Sequence, residues 1–360
     1  MIAYIRKMSV DKKGWLDAET FNHGVAMCQM IPGATAMQST AYVGLLTRGV
    51  LGAAVCFIGF GLPAFLLMMI IASVYSYTKN IPSVVSAFSG LQAIIVAIVA
   101  NATISFGRTT LKTWRHFILA GIAAGLFGLN INPILVILIA ALGGLAIMQV
   151  SQSTSNQGNH QSTVHSTTKA LLFILSTTLI GFILLFIFSR NLFYLSTLFY
   201  RIDLFAFGGG FASVPLMYHE VVDVRHWLEA TTFLNGIALG QVTPGPIVIT
   251  ATFIGYLIYG FFGGIIATIS IFLPSFTLVV GITPYFDRLR ASMYFNKIIQ
   301  GVLCSFVGLL FTVTIRFAMN VQWDITHILM AGSALIALIL KVDILWVVII
   351  GILLSIIFFR

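Results

Sequence analysis

The chain has 360 residues, of which 59% are hydrophobic and only 8% charged, with a mean hydropathy of +1.03; this composition excludes a soluble globular domain and points to a polytopic membrane protein. A net charge of +9 would suggest a nucleic-acid partner for a soluble chain, but the basic residues fall mostly in short loops between apolar runs, where they orient spans, and no nucleic acid is expected. Cys28, Cys56 and Cys304 lie singly in apolar segments, which argues for neither a disulfide framework nor a metal site.

Residues 1–19 are polar and charged and do not read as a cleavable signal peptide. Helical spans are then predicted over about 20–47, 49–77, 84–107, 114–130, 131–148, 170–189, 192–214, 230–257, 258–284, 293–317, 325–340 and 342–359. Strand patterning is absent, so the expected class is all-α rather than a barrel. Between the fifth and sixth spans lies SQSTSNQGNHQSTVHSTTK (151–169), a polar linker in which His160 and His165 read as solvated residues.

Two stretches match at one spacing: WLDAETFNHGVAMCQMIPGA from Trp15 and WLEATTFLNGIALGQVTPGP from Trp227. After a slip of one residue the match continues through Gly49/Gly260, Gly52/Gly263, Pro63/Pro274 and Gly90/Gly301. The protein is therefore expected to be two copies of one unit, roughly 4–148 and 215–359. The domain reading is a first repeat over 1–150, the linker 151–169, a connecting span 170–191 and a second repeat over 192–360. Seven spans between the two Trp loops would invert the second copy, as in many secondary transporters, provided that the short segments 114–130 and 325–340 cross and the Pro-Gly segments are not re-entrant. Upstream of Trp227 stands an apolar span with a glycine triplet, whereas residue 1 aligns near Ser213. The first repeat thus lacks its opening span, and the expectation is a fragment or a start at an internal Met.

Proline inside a helix removes a hydrogen bond and clashes one turn back, and in lipid the freed groups survive only where protein or a cavity covers them. Gln29 to Gly33 and Gln241 to Pro246 are accordingly read as paired helix breaks. The segment after each Pro would start a new half-helix whose free N–H groups suit an anion. Gly208, Gly209 and Gly210 form a comparable break, open to tight packing or to a ligand role. Thr243, Thr250 and Thr252 can offer hydroxyls, although threonines in such helices usually bond their own backbone. Few charges lie within spans: Arg201 and Asp203, which could pair structurally or touch a substrate, and Arg316, which could snorkel. His219, Glu220, Asp223, Arg225 and His226 crowd the loop before Trp227, a solvated run or a proton relay. No Walker A, HExxH or GxSxG motif is present, so ATP-driven transport by this chain alone and hydrolysis both lack support, and the reading is a non-enzyme without cofactor.

FAFGGGFASVPL, the stretch from Trp227 to Tyr256 and FLPSF together resemble the second half of the chromate ion transporter family, and the stretch from Trp15 with GFGLPAF resembles the first half. That resemblance implies a two-domain protein of the bacterial or archaeal inner membrane that exports chromate, driven by the proton gradient, and confers chromate resistance. It implies family positions at Phe207, Gly208, Gly209, Gly210, Pro215, Trp227, Gln241, Pro244, Gly245, Pro246, Thr250 and Gly255, with Trp15, Pro32 and Gly33 in the first half. The chain departs from many relatives in having Asn22 and Asn235 in place of Asp, and Ala34 in place of the second Pro of a Pro-Gly-Pro.

The leading expectation is a secondary transporter of a small tetrahedral dianion, chromate or the sulfate-like alternative, with a passive anion channel as a competing class. The expected binding residues are Gln29, Pro32, Gly33, Gly208, Gly209, Gly210, Gln241, Thr243, Pro244, Gly245 and Pro246. Arg201, Asp203, His219 and Glu220 are the candidates for proton coupling or charge. Protons, the lipid bilayer and a second copy in a homodimer are the candidate partners.

Overall fold

The computed structural model describes residues 1–148 and 167–359; residues 151–166 of the sequence-defined linker lie outside the described residues. The described residues are helical and contain no strand. In chain order they form α1 (Ile2–Arg6, continuing as a π-helix over Lys7–Lys12), α2 (Ala18–Met30), α3 (Thr35–Thr78), α4 (Pro82–Thr110), α5 (Trp114–Gly128) and α6 (Pro133–Ile147). There follow α7 (Thr168–Phe188), α8 (Arg190–Phe205), α9 (Ser213–Tyr218, continuing as a π-helix over His219–Val224), α10 (Ala230–Val242), α11 (Thr250–Ile282), α12 (Phe286–Ala291), α13 (Met293–Met319), α14 (Ile325–Ile339) and α15 (Ile344–Phe358). Among the described residues, five helical stretches are long and apolar enough to cross a membrane, which makes this a multi-pass membrane protein.

The spans expected over 20–47 and 230–257 are not single crossings. Ile31 and Thr243, each preceding a proline, are extended, with ψ of 152° and 141°, as the steric demand of the following ring requires. The chain does not resume its direction after the break. A Cβ on Gly24 would overlap the Tyr42 ring, and one on Gly236 would lie 2.5 Å from the Phe253 ring. Residues well before each break thus pack on residues well after it. Both segments are helical hairpins of short arms that enter and return on the same side, with the Pro-Gly sequences at their tips. At 13 residues, α2 and α10 are each only about 20 Å long at 1.5 Å per residue.

A second reversal follows each hairpin. Arg48 and Gly49 leave helical geometry within α3, and Tyr259 and Gly260 do so within α11, with matching angles: Gly49 at φ 66°, ψ −158° and Gly260 at φ 66°, ψ −151°. That region is essentially open only to glycine, so the conformation explains the residue at both places. Gly44 then packs on Gly52, and Gly255 on Gly263. Each of α3 and α11 is therefore a short return arm folded against a long arm, 50–78 or 261–282.

The polar segment at the start of the first copy is helical in the structure. α1 with its π-helix matches α9 with its own, and Trp15 N–H bonds the Ser9 carbonyl at 2.8 Å as Trp227 N–H bonds that of Val221 at 2.8 Å. The expected span 192–214 is likewise divided, because α8 stops at Phe205 and α9 starts at Ser213.

The two copies are inverted. Thr103 meets Thr314 while Gly107 meets Val307, so the homologous helices α4 and α13 run antiparallel. The long arms of α3 and α11 do the same, since Phe57 packs on Phe272 and Phe276 while Met69 packs on Gly264. The short helices are exchanged between copies. Gly301 and Gly308 of α13 admit the α6 and α5 backbones, and Gly90 N–H of α4 donates to Ser355 of α15 at 2.9 Å. Small residues allow this approach where no hydrophobic force separates helix from lipid. α5, α6, α14 and α15 have 15 residues each, about 22 Å of helix against a hydrocarbon core of about 30 Å.

Candidate substrate site at the hairpin tips

The tip of the first hairpin is buried and tied down on both sides. Gly33, at φ 115°, donates its N–H to the Ala206 carbonyl at 2.9 Å. Ala34 N–H donates to Ser275 Oγ at 3.1 Å, and Gln38 Nε2 to the Pro32 carbonyl at 2.6 Å. Ser275 follows Pro274 in the long arm of α11, and it donates its own N–H and hydroxyl to Asp203 Oδ2 at 2.9 and 2.7 Å. A Pro in the long arm thus stands beside the opposite copy's tip. The second copy repeats the arrangement, because Gly245 packs 2.5 Å, measured from a built Cβ, from Ala64, the residue after Pro63.

Between the tips runs the glycine triplet. Gly208 and Gly209 have φ of 91° and 99°, and Gly209, at ψ −174°, lies in the same glycine-only region as the hairpin turns. A Cβ on Gly209 would stand 3.3 Å from Thr35 Oγ1 of the first tip, and one on Gly210 would stand 3.0 Å from Ile247 of the second. The triplet is the piece that both Pro-Gly breaks touch. Three buried polar atoms near these elements have no hydrogen-bond partner among the described residues: Gln38 Oε1, Asp203 Oδ1 and Gln241 Nε2. Unpaired buried polar atoms are costly and call for an explanation such as a ligand.

Of the expected site residues, Pro32, Gly33, Gly208, Gly209, Gly210, Gly245 and Asp203 come together here. Gln241 and Gln29, equivalent in sequence, differ in setting: Gln241 is half-buried and Gln29 is exposed near the end of α2. The buried glutamine of the first tip is instead Gln38. Thr243 is buried but donates its hydroxyl to the Gly240 carbonyl at 2.8 Å. Pro244 is exposed, while Pro246 is buried and begins the return. Thr250 donates to the Ile247 carbonyl at 2.8 Å and Thr252 meets Thr268 at 2.7 Å.

The remaining charged candidates form a separate cluster. Arg201 is two residues from Asp203 and so points to the opposite side of α8, where it bonds Glu220 at 2.6 Å. Glu220 also lies 3.5 Å from Arg225, and His219 3.7 Å from Asp223. Arg316 does not snorkel. It bonds Asp223, the Phe127 carbonyl and the Asn130 side chain, fixing the α5–α6 turn to α13. Sequence reasoning missed Gln38 and Ser275; for Ser275 the signal was available, because Pro274-Ser275 aligns with Pro63-Ala64. Asn235 receives a bond from Gln92 at 3.2 Å and donates to Tyr75 at 3.0 Å, so its amide is satisfied as a neutral group.

A sequence profile described as "Chromate transporter" matches residues 1–145 and 193–356. An uncharacterized transporter of Methanocaldococcus jannaschii is 42% identical over 355 residues, covering 98% of this chain and 88% of the relative. A chromate transport protein of Cupriavidus metallidurans is 27% identical over 346 residues, 95% of this chain and 83% of the relative. A probable chromate transport protein of Synechococcus elongatus is 27% identical, covering 94% and 84%. No solved structure matches the chain.

Proposed function

The chain belongs to the chromate transporter family, and on that premise we propose that it carries chromate across the membrane, binding the dianion where the two hairpin tips meet the glycine triplet. The observation that carries this reading is the placement of Gly209 and Gly210 against Thr35 and Ile247. The return arms start at these points, and the first N–H groups of a helix lack partners and sit at its positive end. A tetrahedral dianion suits such donors without a fixed cation. Gln241, with a buried amide and no partner for Nε2, adds a side-chain donor.

The two copies, 1–150 and 192–360, then act as halves that exchange conformations about the site, joined through 151–169 and the span 170–191. Transport is outward across the plasma membrane and coupled to protons, giving chromate resistance. Asp203 is the coupling group, because it is buried, lies beside the first tip and keeps one oxygen unpaired. The test is uptake of radiolabelled chromate into proteoliposomes under an imposed proton gradient. Accumulation that disappears when the gradient is collapsed is the expected result. Flux indifferent to the gradient would make the protein a passive channel, and absence of flux would overturn the reading.

A further inference from the structure

One face of α4 carries Asn101, Ser105 and Thr109 on successive turns, the i, i+4 spacing that aligns side chains along a helix. These residues line a cleft of about 400 Å³ whose inner wall is Gly208 and Gly210 of the triplet. Thr109 bonds the Phe106 carbonyl at 2.9 Å, whereas the Asn101 and Ser105 side chains have no hydrogen-bond partner among the described residues. Ser105 and Thr109 are exposed to the cleft, and Arg108 and Lys112, also exposed, stand at that end of α4.

The inverted copy supplies the control. In α13 the equivalent positions are Thr312, Arg316 and Asn320; the first two are bonded into the packing, while Asn320 is exposed and, like Thr109, bonds its own helix. Thr312 donates to the Ala124 carbonyl at 3.1 Å, Asn320 to the Arg316 carbonyl at 2.7 Å, and Arg316 to its three partners. At the first two positions the helix face is thus bonded to its neighbours in one copy, and open with idle polar groups in the other. Idle polar groups toward an apolar solvent are costly. A water-filled path explains their retention on α4.

We propose that this cleft is an oxyanion vestibule, a second subsite in which Asn101 and Ser105 hydrogen-bond the anion on its way to the glycine triplet. The assignment rests on the transport reading above. An amide and a hydroxyl can accompany a dianion without trapping it, while Arg108 and Lys112 raise its concentration at the mouth. Passage past Gly208 and Gly210 then leads directly to the tips.

The test measures chromate uptake by the full chain in proteoliposomes. Asn101→Leu and Ser105→Val are expected to raise KM roughly tenfold each, the loss of one hydrogen bond to a charged partner, with the maximal rate within about twofold. Ser105→Thr, which keeps the hydroxyl, should stay near wild type. Unchanged KM in both apolar variants overturns the proposal, and so does an equal loss in Ser105→Thr. An independent arm uses Ser105→Cys and a membrane-impermeant thiol reagent, read above the Cys56 background because Cys28 and Cys304 are buried. Sulfate, which does not oxidise thiols, should slow the modification several-fold; a rate indifferent to sulfate contradicts the subsite. A wild type that moves no chromate would refute the chromate reading alone, and the sulfate protection would still decide the vestibule.

Discussion

Thr103 and Thr314 meet hydroxyl to hydroxyl at 3.3 Å and occupy equivalent positions in the two copies, the spacing that also relates Asn130 to Lys341, both at positive φ. A residue that touches its own counterpart marks a twofold axis, here between α4 and α13. Because these helices are antiparallel, the axis lies across them, which is the geometry of inverted repeats. The hairpin tips, the glycine turns and the exchanged short helices all follow the same axis.

Gly49 and Gly260 carry the clearest stability prediction. No atom lies within 4 Å of a Cβ built on either, so Gly49→Ala and Gly260→Ala meet no steric obstacle and suffer backbone strain alone, about 1–3 kcal/mol each. Thermal unfolding in detergent should show a lowered midpoint for each, and a near-additive loss in the double variant. A neutral result at both would contradict the turns.

Arg316 is expected to be structural. Arg316→Ala leaves Asp223 and the Phe127 carbonyl without their donor, a loss of about 3 kcal/mol for a largely buried pair. Arg316→Lys should recover only part of it, because an ammonium cannot serve the three partners of a planar guanidinium. The same unfolding assay ranks the variants; a fully stable Arg316→Ala would show that the turn needs no anchor.

Asp203→Asn keeps the shape beside Ser275 but cannot exchange a proton. Chromate flux through this variant should no longer respond to the proton gradient, while exchange of labelled for unlabelled chromate persists. A gradient response equal to wild type would remove Asp203 from coupling.

The repeat, the all-helical class and the two Pro-Gly breaks were legible because they are local: matched motifs at one spacing, long apolar runs and prolines inside them. The return of the chain after Pro32 and Pro244 was legible only as an open alternative, because a proline break has the same sequence whether the helix continues or folds back. What decides is the long-range fit of Gly24 to Tyr42 and of Gly236 to Phe253. The exchange of short helices between copies is hidden for the same reason. Of the site, the glycines were visible by their spacing, whereas Gln38, Ser275 and the α4 face take their meaning from what the fold brings beside them. Gln29 and Gln241 are equivalent in sequence but differ in burial, which repeat spacing alone does not reveal.

The most direct test of the central claim is chromate flux in proteoliposomes containing Gly209→Ala. The residue holds φ 99° and ψ −174° between the two tips, so an added methyl both strains the backbone and presses toward Thr35 Oγ1 at 3.3 Å. Flux should fall at least about a hundredfold, the scale on which a misplacement of roughly 1 Å is felt at a binding constellation, while the folded protein is still recovered as a single species from detergent. Wild-type flux from a folded Gly209→Ala protein would contradict the account.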